Sequence, residues 1–216
     1  MRFTEHEMVF FNSITKGNTV LGIPLNFRPK DGYEEEVKKT IQGLIEKEVL
    51  ASETELSKQG ALPARALECY KESNTHIIIN YLHIALLEKK EAVVIIPLKN
   101  HEYEMIKIPR VALFYLLLEK YPVLRGRANA IGTEPELVDM DTFLQELKGQ
   151  EETIMAGEFQ NGAMVREQVY YWNEAAVYQY NINTQLRKEI DPVQLRRELL
   201  RLLQMNEEVE SYARSC

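Results

Sequence analysis

Thr75 to Pro109 reads THIIINYLHIALLEKKEAVVIIPLKNHEYEMIKIP, three strand-like runs joined by short polar turns. In His76–Leu87, Ile77, Ile79, Tyr81, Ala85 and Leu87 occupy odd positions, and Ile78, Leu82, Ile84 and Leu86 even ones. Side chains alternate between the faces of a strand, so both faces here are apolar and both must be covered. Each fully buried Ile or Leu contributes roughly 1.5–3 kcal/mol, so a bare face would be costly. Glu88-Lys89-Lys90-Glu91 is a charged turn, and Ala92–Ile96 is apolar throughout. Pro97 withdraws a ladder donor and ends that run. Lys99-Asn100-His101 then turns the chain into Tyr103–Ile108. The stretch predicts a β-meander.

On its N-terminal side, Thr4 and Glu7 have the spacing of a capping box, with Phe3 and Met8 placed as a hydrophobic staple. They predict a helix over 4–16 that stops near Gly17. Val20–Phe27 is an apolar loop expected to lie pinned on the core. Val37, Ile41, Leu44, Ile45 and Val49 recur at helical spacing and predict a helix over 34–50. Leu62-Pro63 opens a short helix through Glu72, with proline suited to a first turn. Beyond the meander, Pro109 leads into Arg110–Tyr121, apolar almost all round and so expected to be buried. Residues 124–136, with Gly126, Gly132 and Pro135, read as a connector. A short helix follows over Asp139–Lys148, closed by Gly149. Three more strand-like runs are Thr153–Phe159, Met164–Trp172 and Ala175–Thr184. Asp191, Pro192 and Gln194 supply a cap, a first-turn proline and a capping-box partner for a last helix reaching about Met205. The final ten residues are polar and expected to fray.

Residues 63–121 therefore read helix, three strands, helix, and residues 139–205 repeat that order. The expected fold is a single α+β domain over 1–216. Two three-stranded meanders in pseudo-two-fold arrangement form its central antiparallel sheet, flanked by helices.

Composition narrows the function. The chain is 45% hydrophobic and 27% charged, ordinary for a globular protein. A net charge of −7 argues against a phosphate backbone as partner, because such binding rests on clustered Lys and Arg. The apolar runs fall short of the roughly 20 residues that span a bilayer, so membrane insertion is not expected. The N-terminus shows no cationic segment followed by an apolar one. Cys69 and Cys216 are few and far apart, which fits a reducing compartment. The expected location is cytoplasmic. Between Gly132 and Gln160, Glu134, Glu136, Asp139, Asp141, Glu146, Glu151, Glu152 and Glu158 face only Lys148. The final helix is read as locally basic, with Arg187, Lys188, Arg196, Arg197 and Arg201. Both runs read as solvated faces.

No catalytic motif withstands inspection. Asp139-Met-Asp-Thr-Phe143 resembles a haloacid-dehalogenase nucleophile motif, but Phe143 stands where Thr or Val is required, and no long buried strand precedes it. Helix capping by Asp139 or Asp141 is the better reading. His6, His76, His83 and His101 show no metal-ligand spacing. Cys69, near Arg65 and Lys71, reads as a half-buried thiol. No catalytic, cofactor or metal residues are assigned, and no enzyme is expected.

The aromatic hairpin Tyr170–Tyr180 holds four of the eleven tyrosines and the only tryptophan. With a turn at Asn173-Glu174, Val165, Val169, Tyr171, Ala176, Tyr178 and Ile182 share one apolar face. Arg166, Gln168, Tyr170, Trp172, Val177, Gln179 and Asn181 share the other. That second face is polar with an aromatic cluster at its tip, a pattern common in partner-binding surfaces. The alternative is that these aromatics cover the sheet against a helix.

Several segments follow one another in a characteristic order. An N-terminal amphipathic helix precedes Leu21-Gly22-Ile23-Pro24-Leu25. The helix ending Gly43–Leu50 comes next, then a short helix with Leu62-Pro63 and Ala66-Leu67. The meander follows and runs into Ile108-Pro109 and an apolar helix. In this order the chain resembles the EspG-type chaperones of the type VII (ESX) secretion system, in particular their counterparts in low-GC Gram-positive bacteria. The resemblance implies a quasi-two-fold sheet flanked by helices and binding of a helical secreted substrate of the LXG or WXG type in the cytosol. It also implies delivery to the secretion ATPase, without cofactor or nucleic acid. Two other readings compete. One is a winged-helix DNA-binding regulator, against which Glu68 and Glu72 balance Arg65 and Lys71 on the would-be recognition helix. The other is an antitoxin-like inhibitor of a partner toxin.

Overall fold

The computed structural model describes residues 1–16, 20–25, 33–127, 134–150, 152–173 and 176–205. Gly17, Phe27, Gly132, Glu151, Glu174, Cys216 and the polar last ten residues lie outside the described residues. The fold is α+β. Among the described residues it contains six α-helices, a ten-strand antiparallel sheet and a separate two-strand sheet. The chain divides into two compact units, Met1–His76 with Tyr81–Ile108, and Ile77–Asn80 with Pro109–Cys216.

In the first unit, β1 (Arg2–Thr4) pairs with β7 (Glu102–Pro109), and β5 (Leu82–Leu86) with β6 (Glu91–Pro97), giving the order β1-β7-β6-β5. Helix α1 (Glu5–Ile14) carries the expected capping box. The Thr4 hydroxyl accepts from the Glu7 N–H at 3.2 Å, and the Glu7 carboxylate accepts from the Thr4 N–H at 2.7 Å. Phe3 and Met8 are fully buried, and Phe3 stacks on Phe11 at 5.3 Å. Helices α1, α2 (Tyr33–Glu46) and α3 (Ala61–Glu72) share one core with Ala85, Val93, Ile95 and Met105 of the sheet. Ile84, Leu86, Ala92 and Val94, from the opposite face, are buried as well. The loop residues Val20 and Ile23 are buried as expected, and the Tyr70 hydroxyl donates to the Leu21 carbonyl at 3.0 Å.

Helix α2 stops four residues earlier than its periodicity suggests. Glu48 turns to φ 56°, and the chain forms the small hairpin of β2 (Leu50–Ser52) and β3 (Glu55–Leu56). A Cβ on Gly60 would lie 1.9 Å from the Val49 carbonyl, so only glycine allows this close approach.

The long run His76–Leu87 is not one strand. Asn80 at φ 52° breaks it into β4 (Thr75–Ile79) and β5. Asn is among the few residues that adopt this left-handed conformation readily. The charged turn is confirmed, with Lys89 and Lys90 at φ 55° and 58° and Leu86 opposite Ala92.

In the second unit, β4 from Ile77 onward adjoins β9 (Thr153–Gln160). Strands β10 (Ala163–Asn173), β11 (Ala176–Asn181), β12 (Leu186–Ile190) and β8 (Glu136–Leu137) follow in that spatial order. Each half of the chain thus holds four consecutive strands, β4–β7 and β9–β12, where three were expected. Helix α4 (Arg110–Lys120) buries Leu113, Phe114, Leu117 and Leu118 but exposes Tyr115 and Leu116, so only one of its faces is covered. Helix α5 (Met140–Leu147) is capped by Asp139, which accepts from the Thr142 N–H at 2.9 Å. Helix α6 (Pro192–Leu202) is capped by Asp191, accepting from the Gln194 N–H at 2.7 Å.

The basic run read as the final helix is not simply a solvated face, and its Arg187 lies on the strand Leu186–Ile190 ahead of that helix. Arg196 is 1% exposed and donates to the Leu124 and Gly126 carbonyls. Arg187 engages Glu136 and Glu146.

Candidate partner-binding surface

The aromatic hairpin forms, in a register two residues away from the one a turn at Asn173-Glu174 would give. Asn173 pairs with Ala176, and Tyr171 with Tyr178 in place of Ala176. A two-residue shift preserves the faces, so Arg166, Gln168, Tyr170, Trp172, Val177, Gln179 and Asn181 do share one side.

That side is mostly interior. Gln168, Tyr170, Val177 and Gln179 are each at most 8% exposed. The Gln168 Oε1 atom accepts from Arg166 Nη2 at 3.0 Å, from the Tyr170 hydroxyl at 2.7 Å and from Gln179 Nε2. Arg166 in turn donates to Glu198 of α6 at 2.7 Å, and Arg201 donates to the other oxygen of Glu198 at 2.9 Å. Burial pushes the Tyr170 phenol well up from its ordinary value. The Arg166–Glu198 hydrogen bond thus ties to helix α6 a face read from the sequence as a candidate partner surface. The physical reason is that a sheet with two apolar-capable faces takes a helix on each. Arg166 and Asn181 are half-buried, and Trp172 is the one clearly exposed member of the set.

The opposite face packs against α5. Val169, Tyr171 and Tyr180 cluster with Val138 and Phe143, and Phe143 stacks on Tyr180 with ring centres 3.8 Å apart. The Tyr171 hydroxyl donates to Glu146 at 2.7 Å, and the Tyr180 hydroxyl to the Val138 carbonyl at 3.0 Å. Arg187 grips both oxygens of Glu146, reaches Glu136 and lies 5.1 Å over the Tyr178 ring. Burial works to raise the Glu146 carboxyl, but hydrogen bonds from Arg187 and Tyr171 outweigh it and hold the group below its ordinary value.

An open apolar surface lies further along the same sheet face. Strands β9 and β10 are joined by Asn161-Gly162, both at positive φ as a two-residue hairpin turn requires. Val165 is the extra residue between the pairs Met164–Phe159 and Arg166–Glu158, a bulge that re-aims the strand. Met155, Met164 and Val165 are 47%, 49% and 52% exposed, with Phe159 half-buried among the same two strands. The sequence signal for this hairpin is Asn161-Gly162 flanked by the apolar residues Phe159, Ala163 and Met164.

On α3, the helix a DNA-binding reading would use, Arg65 pairs with Glu68 at 3.2 Å. Lys71 is buried, its ammonium donating to the Asn12 and Thr15 carbonyls and the Thr15 hydroxyl at 3.0–3.1 Å. His76 is also buried, its Nε2 2.8 Å from the Tyr70 carbonyl, and Cys69 is a free, partly buried thiol. Among the described residues no group of three or more His, Cys, Asp and Glu is placed to hold a metal ion, and no helix is long and apolar enough to cross a membrane.

No curated protein matches the chain. A family profile described as a domain of unknown function (DUF5081) matches residues 1–210, nearly the whole length, and the chain belongs to that family.

Proposed function

We propose that this protein is a non-enzymatic cytosolic chaperone. It would hold a helical segment of a type VII secretion substrate of the LXG or WXG type and keep it soluble for delivery to the secretion ATPase. The observation that carries the reading is the cluster of Met155, Met164 and Val165, all about half exposed on adjacent strands beside Phe159. An exposed apolar cluster of this kind marks interaction surfaces. Methionine suits a surface that must accept varied helical faces, because its unbranched, polarisable side chain repacks easily. The order of segments shared with EspG-type chaperones supports a helical client. The occupied cations of α3 favour a protein partner over DNA, since Arg65 and Lys71 are both engaged within the protein.

The test is recovery of tagged protein from its native cytosol, with bound proteins identified by mass. A helical type VII substrate is expected with the parent chain and is expected to be lost with Met155→Asp combined with Val165→Asp. Recovery of DNA, or of general chaperones alone, would overturn the assignment.

A further inference from the structure

The second unit carries a pocket of about 540 Å³ that the proposed function does not use. Trp172, Pro122, Val123 and Gln150 line it together with Glu152, and Gly126 and Gly149 add no side chains to the lining. Glu152 supplies the carboxylate, held by the Val123 N–H, which lies 3.1 and 3.2 Å from its two oxygens. Trp172 is 36% exposed, so its ring is open to solvent over part of its surface.

The chemistry of this lining selects for positive charge. The face of an indole ring is the most electron-rich surface among the side chains and attracts cations. A carboxylate offers about four lone-pair sites, and one N–H takes only part of that capacity. Burial pushes the Glu152 carboxyl up, against the opposing pull of the Val123 N–H and Arg125, so its charged form is under-stabilised and would gain from a nearby cation.

The geometry also distinguishes between cations. The Val123 N–H spans both oxygens, the position that the two parallel N–H groups of a guanidinium would need. A compact ammonium requires only an outer lone pair and room beside the ring. We propose that this pocket is a binding site for a primary ammonium group, the side chain of a lysine on a partner chain, held between the Trp172 ring and the Glu152 carboxylate. Arg125, close enough to act on Glu152, is the internal competitor for the same charge.

Trp172 is the only tryptophan, so its fluorescence reports the site directly. The probes are Nα-acetyl-lysine methylamide, the arginine equivalent and the uncharged norleucine equivalent, each titrated into the full chain. The lysine probe is expected to give a saturable change with Kd on the order of 1 mM, as befits a fragment. The arginine probe is expected to bind several-fold more weakly, and the norleucine probe not to saturate. Glu152→Gln keeps an acceptor for the Val123 N–H while removing the charge, and should weaken the lysine probe by about tenfold or more. Arg125→Ala removes the competitor and should tighten binding. Thermal unfolding of both variants checks that they remain folded. Equal responses to lysine and norleucine, or unchanged binding in folded Glu152→Gln, would overturn the site. Equal affinity for arginine would overturn its preference for ammonium. None of these outcomes depends on the secretion reading, since no client is present.

Discussion

Asn80 shows how much one residue carries where a strand must reverse. Its backbone sits at φ 52°, its Nδ2 donates to the Tyr121 hydroxyl at 2.7 Å and to the Thr153 carbonyl at 3.0 Å, and its Oδ1 accepts from the Met155 N–H at 2.8 Å. Two substitutions separate the contributions. Asn80→Gly keeps the backbone conformation and loses three hydrogen bonds; Asn80→Ala loses both. Each net hydrogen bond contributes about 0.5–1.5 kcal/mol, so Asn80→Gly should cost about 2–3 kcal/mol in urea unfolding, with Asn80→Ala costing more by about 1 kcal/mol. Equal losses would mean that backbone strain at this turn is negligible. Lys71 makes a second case. Its buried ammonium closes the end of α1 through three acceptors, so Lys71→Met, similar in length and uncharged, should cost about 2–3 kcal/mol by the same measurement. An unchanged midpoint would show that water serves those carbonyls equally well.

At the level of elements, the contact of α5 with β12 should set part of the acid stability. Glu146 titrates below its ordinary value in the folded chain, because the Arg187 and Tyr171 hydrogen bonds outweigh burial. A carboxyl depressed by folding contributes stability that is present above its unfolded value, near 4.3, and lost as pH falls through the lower folded value. Glu146→Gln should therefore cost about 1 kcal/mol at neutral pH, allowing for solvent screening, and flatten the pH dependence of unfolding below about pH 5. A parallel loss at every pH would assign Glu146 a packing role only. Elements announced by local chemistry were legible in the sequence: the Thr4–Glu7 box, the Asp139 and Asp191 caps and the Glu88–Glu91 turn each depend on neighbours within a few residues. The break at Asn80 was hidden because apolar residues on both sides of β4 and β5 erase the alternation that would mark a strand end. Strand β12 was hidden for the opposite reason, since Leu186-Arg-Lys-Glu-Ile190 has too few apolar residues to look like a strand. The faces of β10 and β11 were legible too, because parity survives a two-residue slip. Their cover was not: it comes from α6, about thirty residues further on, through Arg166 and Glu198. That cover moves the candidate surface from Tyr170 and Val177 to the opposite side of the sheet, at Met155, Met164 and Val165.

For the whole molecule, binding and stability can be separated because the only tryptophan lies in the second unit. Thermal unfolding followed by Trp172 fluorescence reports that unit, whereas far-ultraviolet circular dichroism reports both. The proposed client surface belongs to the same unit, so a bound client should stabilise it by linkage, about 2.7 kcal/mol at a hundredfold excess over Kd. At about 2–4 °C per kcal/mol for a chain of this length, the fluorescence transition should rise by roughly 5–10 °C on adding a purified helical client. Met155→Asp with Val165→Asp should leave the unliganded transition within about 1 kcal/mol of the parent, since both side chains already face water, and abolish the client-induced rise. A rise that persists in the double variant would place the client elsewhere on the protein. A large loss of unliganded stability would instead show that these residues support the fold. If circular dichroism rises with fluorescence, the client stabilises both units together; if fluorescence alone rises, linkage stops at the second unit, where the exposed hairpin lies.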